Sequence, residues 1–280
     1  MQSLVQVGQE ARGGAAPSPL PELLPSLTAK GILFEQGQIV MVVAPPNGGK
    51  SMLALWYPIA RDVPAFIFSA DTDKRTTEYR AAAIKTGYTF EEVKAMVGTS
   101  AADIIDDAMK DITDAGIQFC FDPAPSIEDI DLELLAYEEV YGQPPRMVVV
   151  DNLLNCVTGD AGDFAGLIDV LSSLHSLARN KDTCVVVLHH VNESSSKNAS
   201  EYPYSRGQIR GKVAQYPEVI LSLAMLPNDG QMRIACVKHR TAVPSPSGED
   251  YVTAWLDPRR MTFYDTAGEL RAAESRRAWE

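Results

Sequence analysis

Five short segments of the chain are apolar at nearly every position. Ile39 to Ala44, Ala65 to Ser69, Ile117 to Phe121, Met147 to Val150 and Thr183 to Leu188 lack the alternation of a half-solvated strand, and read as strands buried on both faces of a sheet. Between them, Lys50 to Ile59, Thr76 to Lys85, Ala101 to Ala115, Ile127 to Val140 and Phe164 to Arg179 carry helical patterns, with Pro58 expected to bend or end the first. Strands alternating with helices imply βαβ units, hence an α/β fold with a mainly parallel central sheet flanked by helices. The last part differs. Val219 to Ala224, Met232 to Val237, Tyr251 to Leu256 and Met261 to Tyr264 are closely spaced, and Pro-Asn-Asp-Gly and Asp-Pro-Arg-Arg turns join two of the pairs, which predicts a C-terminal antiparallel extension. Residues 1–27 are rich in Ala, Gly and Pro and suit an N-terminal arm or linker, whose Leu4-Val5-x-Val7 start is suited to docking on a neighbour. The division expected is therefore an arm at 1–27, a folded domain at 28–264 and a tail at 265–280.

Composition narrows the class. With 280 residues, 45% of them apolar, the chain suits a large globular α/β domain. No apolar run approaches the ~18 residues of a membrane span, and no basic stretch followed by an apolar one opens the chain, so a cytoplasmic protein with no membrane partner is expected. Cys120, Cys156, Cys184 and Cys236 are far apart and form no C-x-x-C pair, so they read as reduced thiols. The formal charge of −12 excludes a protein that coats nucleic acid by net charge, but not a local basic site.

Candidate chemistry begins where the first strand ends. Ala44-Pro45-Pro46-Asn47-Gly48-Gly49-Lys50-Ser51 fits G-x-x-x-x-G-K-[ST] with Ala in place of the first Gly. In such a loop backbone N–H groups wrap a β-phosphate, the lysine reaches the β- and γ-phosphates and the serine hydroxyl ligates Mg²⁺. Asp151, at the end of the strand from Met147, is the candidate second magnesium group. A third strand end, Ser69-Ala70-Asp71-Thr72-Asp73, offers a carboxylate to orient water at a γ-phosphate, through Asp71 or Asp73, while the other of the two caps the helix that follows. His189-His190 followed by Glu193 lacks the helical spacing of a zinc hydrolase site, so metal binding there is not expected and His189 reads as structural. Between Ser194 and Lys212 four cations, Lys197, Arg206, Arg210 and Lys212, stand against the single anion Glu201, with Tyr202, Tyr204 and two glycines among them. Cations for phosphates and rings for bases suit a strand-tracking loop.

Together these segments resemble the RecA-like P-loop ATPases, in particular the DnaB-type hexameric helicase domain and its RepA-like relatives, over about residues 28–264. Phe68-Ser69-Ala70-Asp71 is similar to that family's F-S-L-E, which implies Asp71 at the catalytic glutamate; the D-T-E of RadA-type recombinases matches Asp71-Thr72-Asp73 and implies Asp73. Val187-Leu188-His189-His190-Val191-Asn192 resembles L-S-Q-L-N, and the resemblance implies that His190 stands at the γ-phosphate sensor, ahead of the family's DNA-binding loop. Cys236-Val237-Lys238-His239-Arg240 resembles A-K-x-R, which implies that Lys238 and Arg240 reach the nucleotide of a neighbouring subunit. The family's N-terminal helical domain has no counterpart in the arm.

The resemblance implies an ATP- and Mg²⁺-dependent motor on single-stranded DNA, a homo-oligomer in the form of a hexameric ring or filament, acting in replication or recombination with 5′ to 3′ helicase activity. Two alternatives stand beside it: a RecA- or RadA-like repair ATPase that does not unwind, and a nucleotide-switched assembly protein. A small-molecule kinase fits less well, because nothing resembles its Arg-rich lid.

Overall fold

The computed structural model describes residues 18–156, 164–191, 201–209 and 211–277. Its centre is a sheet of nine strands in the order β3-β2-β4-β5-β1-β6-β7-β8-β9. In chain order these are β1 (Ile39–Ala44), β2 (Ala65–Ser69), β3 (Ile117–Cys120), β4 (Met147–Asp151), β5 (Cys184–His190), β6 (Val219–Leu226), β7 (Gln231–His239), β8 (Val252–Asp257) and β9 (Thr262–Tyr264). The first six pair in parallel, and β6 through β9 pair antiparallel. The expected mixed α/β architecture with an antiparallel extension is what the chain adopts.

The helices are α1 (Pro25–Thr28), α2 (Lys50–Ala60), α3 (Lys74–Thr86), α4 (Phe90–Met96), α5 (Ala102–Asp114), α6 (Ile127–Tyr141), α7 (Phe164–Asn180) and α8 (Ala267–Arg277). Pro58 does not end α2, which runs to Ala60; so near the C-terminus of a helix, a missing N–H costs one bond in the last turn. Helix starts follow local side-chain chemistry. Asp73 caps α3 by accepting from the Thr76 N–H, while Thr89 with Glu92 and Ser126 with Asp129 form capping boxes on α4 and α6.

Burial on both sides explains the unbroken apolar strands. Along β1, Val40, Val42 and Ala44 pack into one layer with α2 and the N-terminal segment, and Ile39, Met41 and Val43 into the other with α6 and α7. Residues 18–27, given to the arm by composition, belong to the first layer. Leu20, Leu23, Leu24 and Leu27 are buried there, Leu20 pairs with Phe34 through the backbone, and the Tyr57 hydroxyl donates to the Pro21 carbonyl. Prolines between leucines made this stretch look like a linker, yet Leu20, Leu23, Leu24 and Leu27 share one buried side. The expected tail likewise holds α8, whose Arg277 pairs with the buried Asp257 at 3.3 Å. Residues 1–17, including Leu4-Val5-x-Val7, lie outside the described residues. All four cysteines are free thiols, and among the described residues no helix is long and apolar enough to cross a membrane.

The two faces of α6 give a test of this layering. Leu134 is 0% exposed against the sheet and Leu132 is 63% exposed on the outer side. Leu134→Ala should destabilise the fold by about 2–5 kcal/mol in urea unfolding, and Leu132→Ala by no more than about 0.5 kcal/mol. Equal effects would contradict the assignment of faces.

Candidate functional site

The parallel strands all deliver their carboxyl ends to one edge of the sheet, and the loops there form a cleft of about 540 Å³, a size within the usual range for ligand clefts. Its walls bring together Pro46 to Ser51, Asp71, Asp151 and His190, the groups expected from four separate segments. The loop after β1 is shaped by its glycines. Gly49 adopts φ +83° immediately before α2, and a Cβ on Gly48 would stand 2.7 Å from the Ala44 Cβ and 2.9 Å from the Pro45 carbonyl oxygen. Neither position accepts a side chain without rebuilding the loop. Asn47 also takes a positive φ, of 58°.

Lys50 opens α2 and its ammonium is folded over the cradle. Nζ donates to the Ala44 and Pro45 carbonyls at 3.0 Å each and stands 3.2 Å from His190 Nδ1. An ammonium has three protons and no acceptor, so the three contacts saturate it, and His190 Nδ1 must accept. Burial lowers the lysine pKa to about 8, against the pull of Asp151 and then Asp71 in the other direction. Burial and the Lys50 charge lower that of His190, so the imidazole is held neutral. A phosphate oxygen entering the cradle competes with the carbonyls and His190 for the Lys50 protons.

Asp151 ends β4 at the cleft floor. Burial raises its pKa, and a hydrogen bond from Ser51, which ties it to the loop serine, opposes the rise; nearby Asp71 raises it further and Lys50 lowers it. The Asp151–Asn152 peptide bond is cis. No group of three or more His, Cys, Asp or Glu able to hold a metal exists among the described residues. A Ser–Asp pair at a phosphate cradle nonetheless fits Mg²⁺, whose remaining ligands are ordinarily waters and phosphate oxygens.

The two candidate carboxylates separate cleanly. Asp73 is engaged as the α3 cap, its pKa lowered by the hydrogen bond from Thr76, and it does not line the cleft. Asp71 lines it, on the bend after β2. Arg80 of α3 and the β8–β9 turn residues Pro258 and Met261 also line the cleft. Sequence reasoning missed all three, because an arginine inside a helix and a turn carry no motif.

Lys238 and Arg240 are not in this cleft. Because β7 runs antiparallel to β6, His239 pairs with Val219, which pairs with Val40 near the start of β1. The pair therefore sits at the opposite edge, about four strand residues or roughly 13 Å below the phosphate loop. Lys238 Nζ donates to the Ala214 and Gln215 carbonyls at 2.9 and 2.7 Å, and burial, then Arg206 and Arg240, lower its pKa to about 8. Arg240 pairs with Glu218 at 3.2 Å. Glu218, which no sequence signal marked, is a buried carboxylate that also accepts from the Ile39 N–H at 2.9 Å and meets His175 Nε2 at 3.0 Å. Of the expected strand-tracking loop, Lys197 and Arg210 lie outside the described residues, as does the side chain of Lys212. Arg206 is exposed on a single 3₁₀ turn, Arg206–Gln208, and Tyr202 is half exposed with Arg233 stacked 4.8 Å from its ring centre. Tyr204 is buried in the core, so it offers no ring to a base.

The family model described as AAA domain matches residues 9–196. The chain belongs to the AAA domain family. Two curated relatives agree over most of their length: the Gene 65 protein of Mycobacterium phage L5 is 34% identical over 248 residues, covering 86% of this chain and 90% of that protein. That of Mycobacterium phage D29 is 34% identical over 220 residues, covering 76% and 93%. Among solved structures, this AAA domain resembles an ATPase domain solved by itself, with a TM-score of 0.77 at 16% identity, covering 94% of this chain and 97% of that one. A DnaB-like replicative helicase, solved with attention to its interactions with primase, matches with a TM-score of 0.75 at 16% identity, covering 94% of this chain and 66% of the helicase. The RadB recombinase follows at 0.53 and 16% identity, covering 86% and 96%. The fold of this AAA domain is thus the RecA-like P-loop ATPase fold, in the form seen in DnaB-type helicase domains.

The lysine pKa carries a consequence for binding. Below pH 8 Lys50 is already charged; above it, a phosphate must draw a proton onto the amine, so nucleotide affinity should fall as pH rises past 8, approaching tenfold per unit. Calorimetry at pH 9 in buffers of different ionisation heat should show proton uptake that Lys50→Arg removes. Affinity flat from pH 7 to 9.5 would refute the coupling.

Proposed function

We propose that the chain is an ATP-driven motor on single-stranded DNA, a DnaB-like helicase that hydrolyses ATP between subunits of a homo-oligomer. The observation that carries this reading is the division of the phosphate-directed groups. Lys50, Ser51, Asp71, Asp151 and His190 share one cleft, while Lys238 and Arg240 stand at the far edge of the same sheet, where only the nucleotide of another subunit is within their reach. The greater likeness to the DnaB-like replicative helicase than to the RadB recombinase supports the helicase form.

In this reading the β- and γ-phosphates of ATP lie in the Ala44 to Ser51 cradle, held by backbone N–H groups and the Lys50 ammonium. Ser51 and Asp151 hold Mg²⁺, which when bound neutralises charge on the phosphate oxygens. Asp71 orients the attacking water and accepts a hydrogen bond from it. His190, in contact with Lys50, registers whether a γ-phosphate has taken the ammonium away. Arg80, Pro258 and Met261 line the part of the cleft that remains for the sugar and base. From the next subunit Lys238 and Arg240 meet the charge that develops on the transferring phosphoryl, a contribution of about 10³ to 10⁵ in rate for such fingers. Arg206 and the neighbouring cations, with Tyr202, contact the strand, which makes binding salt-dependent.

Mixing variants tests this directly. Lys50→Ala and Arg240→Ala should each lose DNA-stimulated ATP turnover, and equal mixtures should regain part of it, since an intact cradle then faces an intact finger. No recovery at any ratio counts against catalysis between subunits. Displacement of a strand from a forked duplex is expected of the wild type; stimulated turnover without displacement would favour an assembly ATPase instead.

A further inference from the structure

The carboxylate given the water-orienting role is held by two side chains that no motif marks. Asp71 Oδ2 accepts from Asn152 Nδ2 at 2.7 Å, and Asp71 Oδ1 accepts from Asn155 Nδ2 at 3.3 Å. The orientation of both amides follows from their surroundings. Asn152 Oδ1 accepts from the Leu154 N–H at 2.9 Å, which turns its NH₂ toward Asp71. Asn155 Nδ2 also donates to the Pro123 carbonyl at 3.1 Å, so both groups facing it are acceptors and only the NH₂ satisfies them. The spacing is what brings them together. Leu153–Cys156 forms a 3₁₀ turn directly after β4, and residues three apart eclipse one another in that geometry, so Asn152 and Asn155 reach the same carboxylate from one side.

We propose that Asn152 and Asn155 are positioning residues that fix the direction of the Asp71 carboxylate for hydrolysis. Aspartate is one methylene shorter than the glutamate common at this place, and Asp71 sits on an exposed bend; nothing in its own backbone sets where its oxygens point. Two amide donors, one to each oxygen, set the plane of the group. Each oxygen keeps a second lone-pair direction for water, so the clamp orients the acceptor without blocking it. The anchoring is shared with the core. Asn152 is buried, the Ala70 N–H donates to the Asp151 carbonyl at 2.9 Å, and Ser69 lies in register with Asp151, so the strand end carrying Asp71 and the turn carrying its clamp form one unit.

This inference rests on the assignment of Asp71 above, and the test separates the two. Asn155 is only half-buried, so Asn155→Leu keeps the shape, removes the donor and is compatible with folding. It should lower kcat about tenfold, the size of one lost hydrogen bond, with KM for ATP and the affinity for a non-hydrolysable analogue unchanged. Asn155→Gln, which retains the NH₂, should recover part of the rate. In the Asp71→Asn background Asn155→Leu should cost nothing further, because the group it orients is already disabled; a structural role would cost the same in both backgrounds. Unchanged or increased kcat in Asn155→Leu, or an equal loss in the Asp71→Asn background, overturns the clamp while leaving the Asp71 assignment standing. Full turnover in Asp71→Asn alone overturns that assignment, and the clamp with it.

Discussion

A parallel sheet buried on both faces has nowhere to put polar chemistry except at the ends of its strands. That constraint organises the molecule. In β1, β4 and β5 the side chains alternate between two apolar layers, so the first group free to meet solvent or ligand is the one where each strand stops: Ala44 leading into the glycine loop, Asp151, and His190. Since all these strands run the same way, their carboxyl ends share one edge and the cleft forms there without further design. The antiparallel β7 reverses direction and carries its polar end to the other edge. One rule of sheet geometry thus separates the groups that cradle a phosphate from the cations that cannot reach it in the same chain.

Electrostatics inside the cleft is governed by crowding. Lys50, Asp71, Asp151 and His190 are close enough to influence one another, and burial works against every charge among them. The lysine is kept by carbonyl oxygens and a neutral imidazole, and the buried aspartate by the loop serine. At the opposite edge Glu218 plays a comparable part for Arg240, with the first N–H of β1 and His175 completing its coordination. A buried carboxylate with several donors is tolerated where a lone one is not.

Much of this was legible in the sequence, for identifiable reasons. Continuous apolar runs cannot be mistaken for half-solvated strands, and the phosphate loop combines a spacing with a strand-to-helix context. Two carboxylates two residues apart were not separable by pattern; the cap on α3 distinguishes Asp73 from Asp71 only once the helix start is seen. Residues 18–27 misled because proline content signals a linker, whereas the leucines between the prolines carry the packing. The helix α4 had a readable start in Thr89 and Glu92, but seven residues are too few for a periodic signal. Glu218, Asn152 and Asn155 were invisible because single polar residues acquire meaning only from what the fold sets against them.

The departure of the phosphate loop from its usual pattern acquires a steric meaning. The methyl of Ala44 lies fully buried and occupies space that a Cβ at Gly48 would require, with the Pro45 carbonyl closing the same space from the backbone side. The glycines of such a loop are therefore not equivalent: the leading one is replaceable by a methyl so long as position 48 has none, and position 48 is closed to any side chain by the main chain itself. The tolerance at 44 is conditional, a dependence between two positions that arises from a shared volume and not from any contact with a ligand.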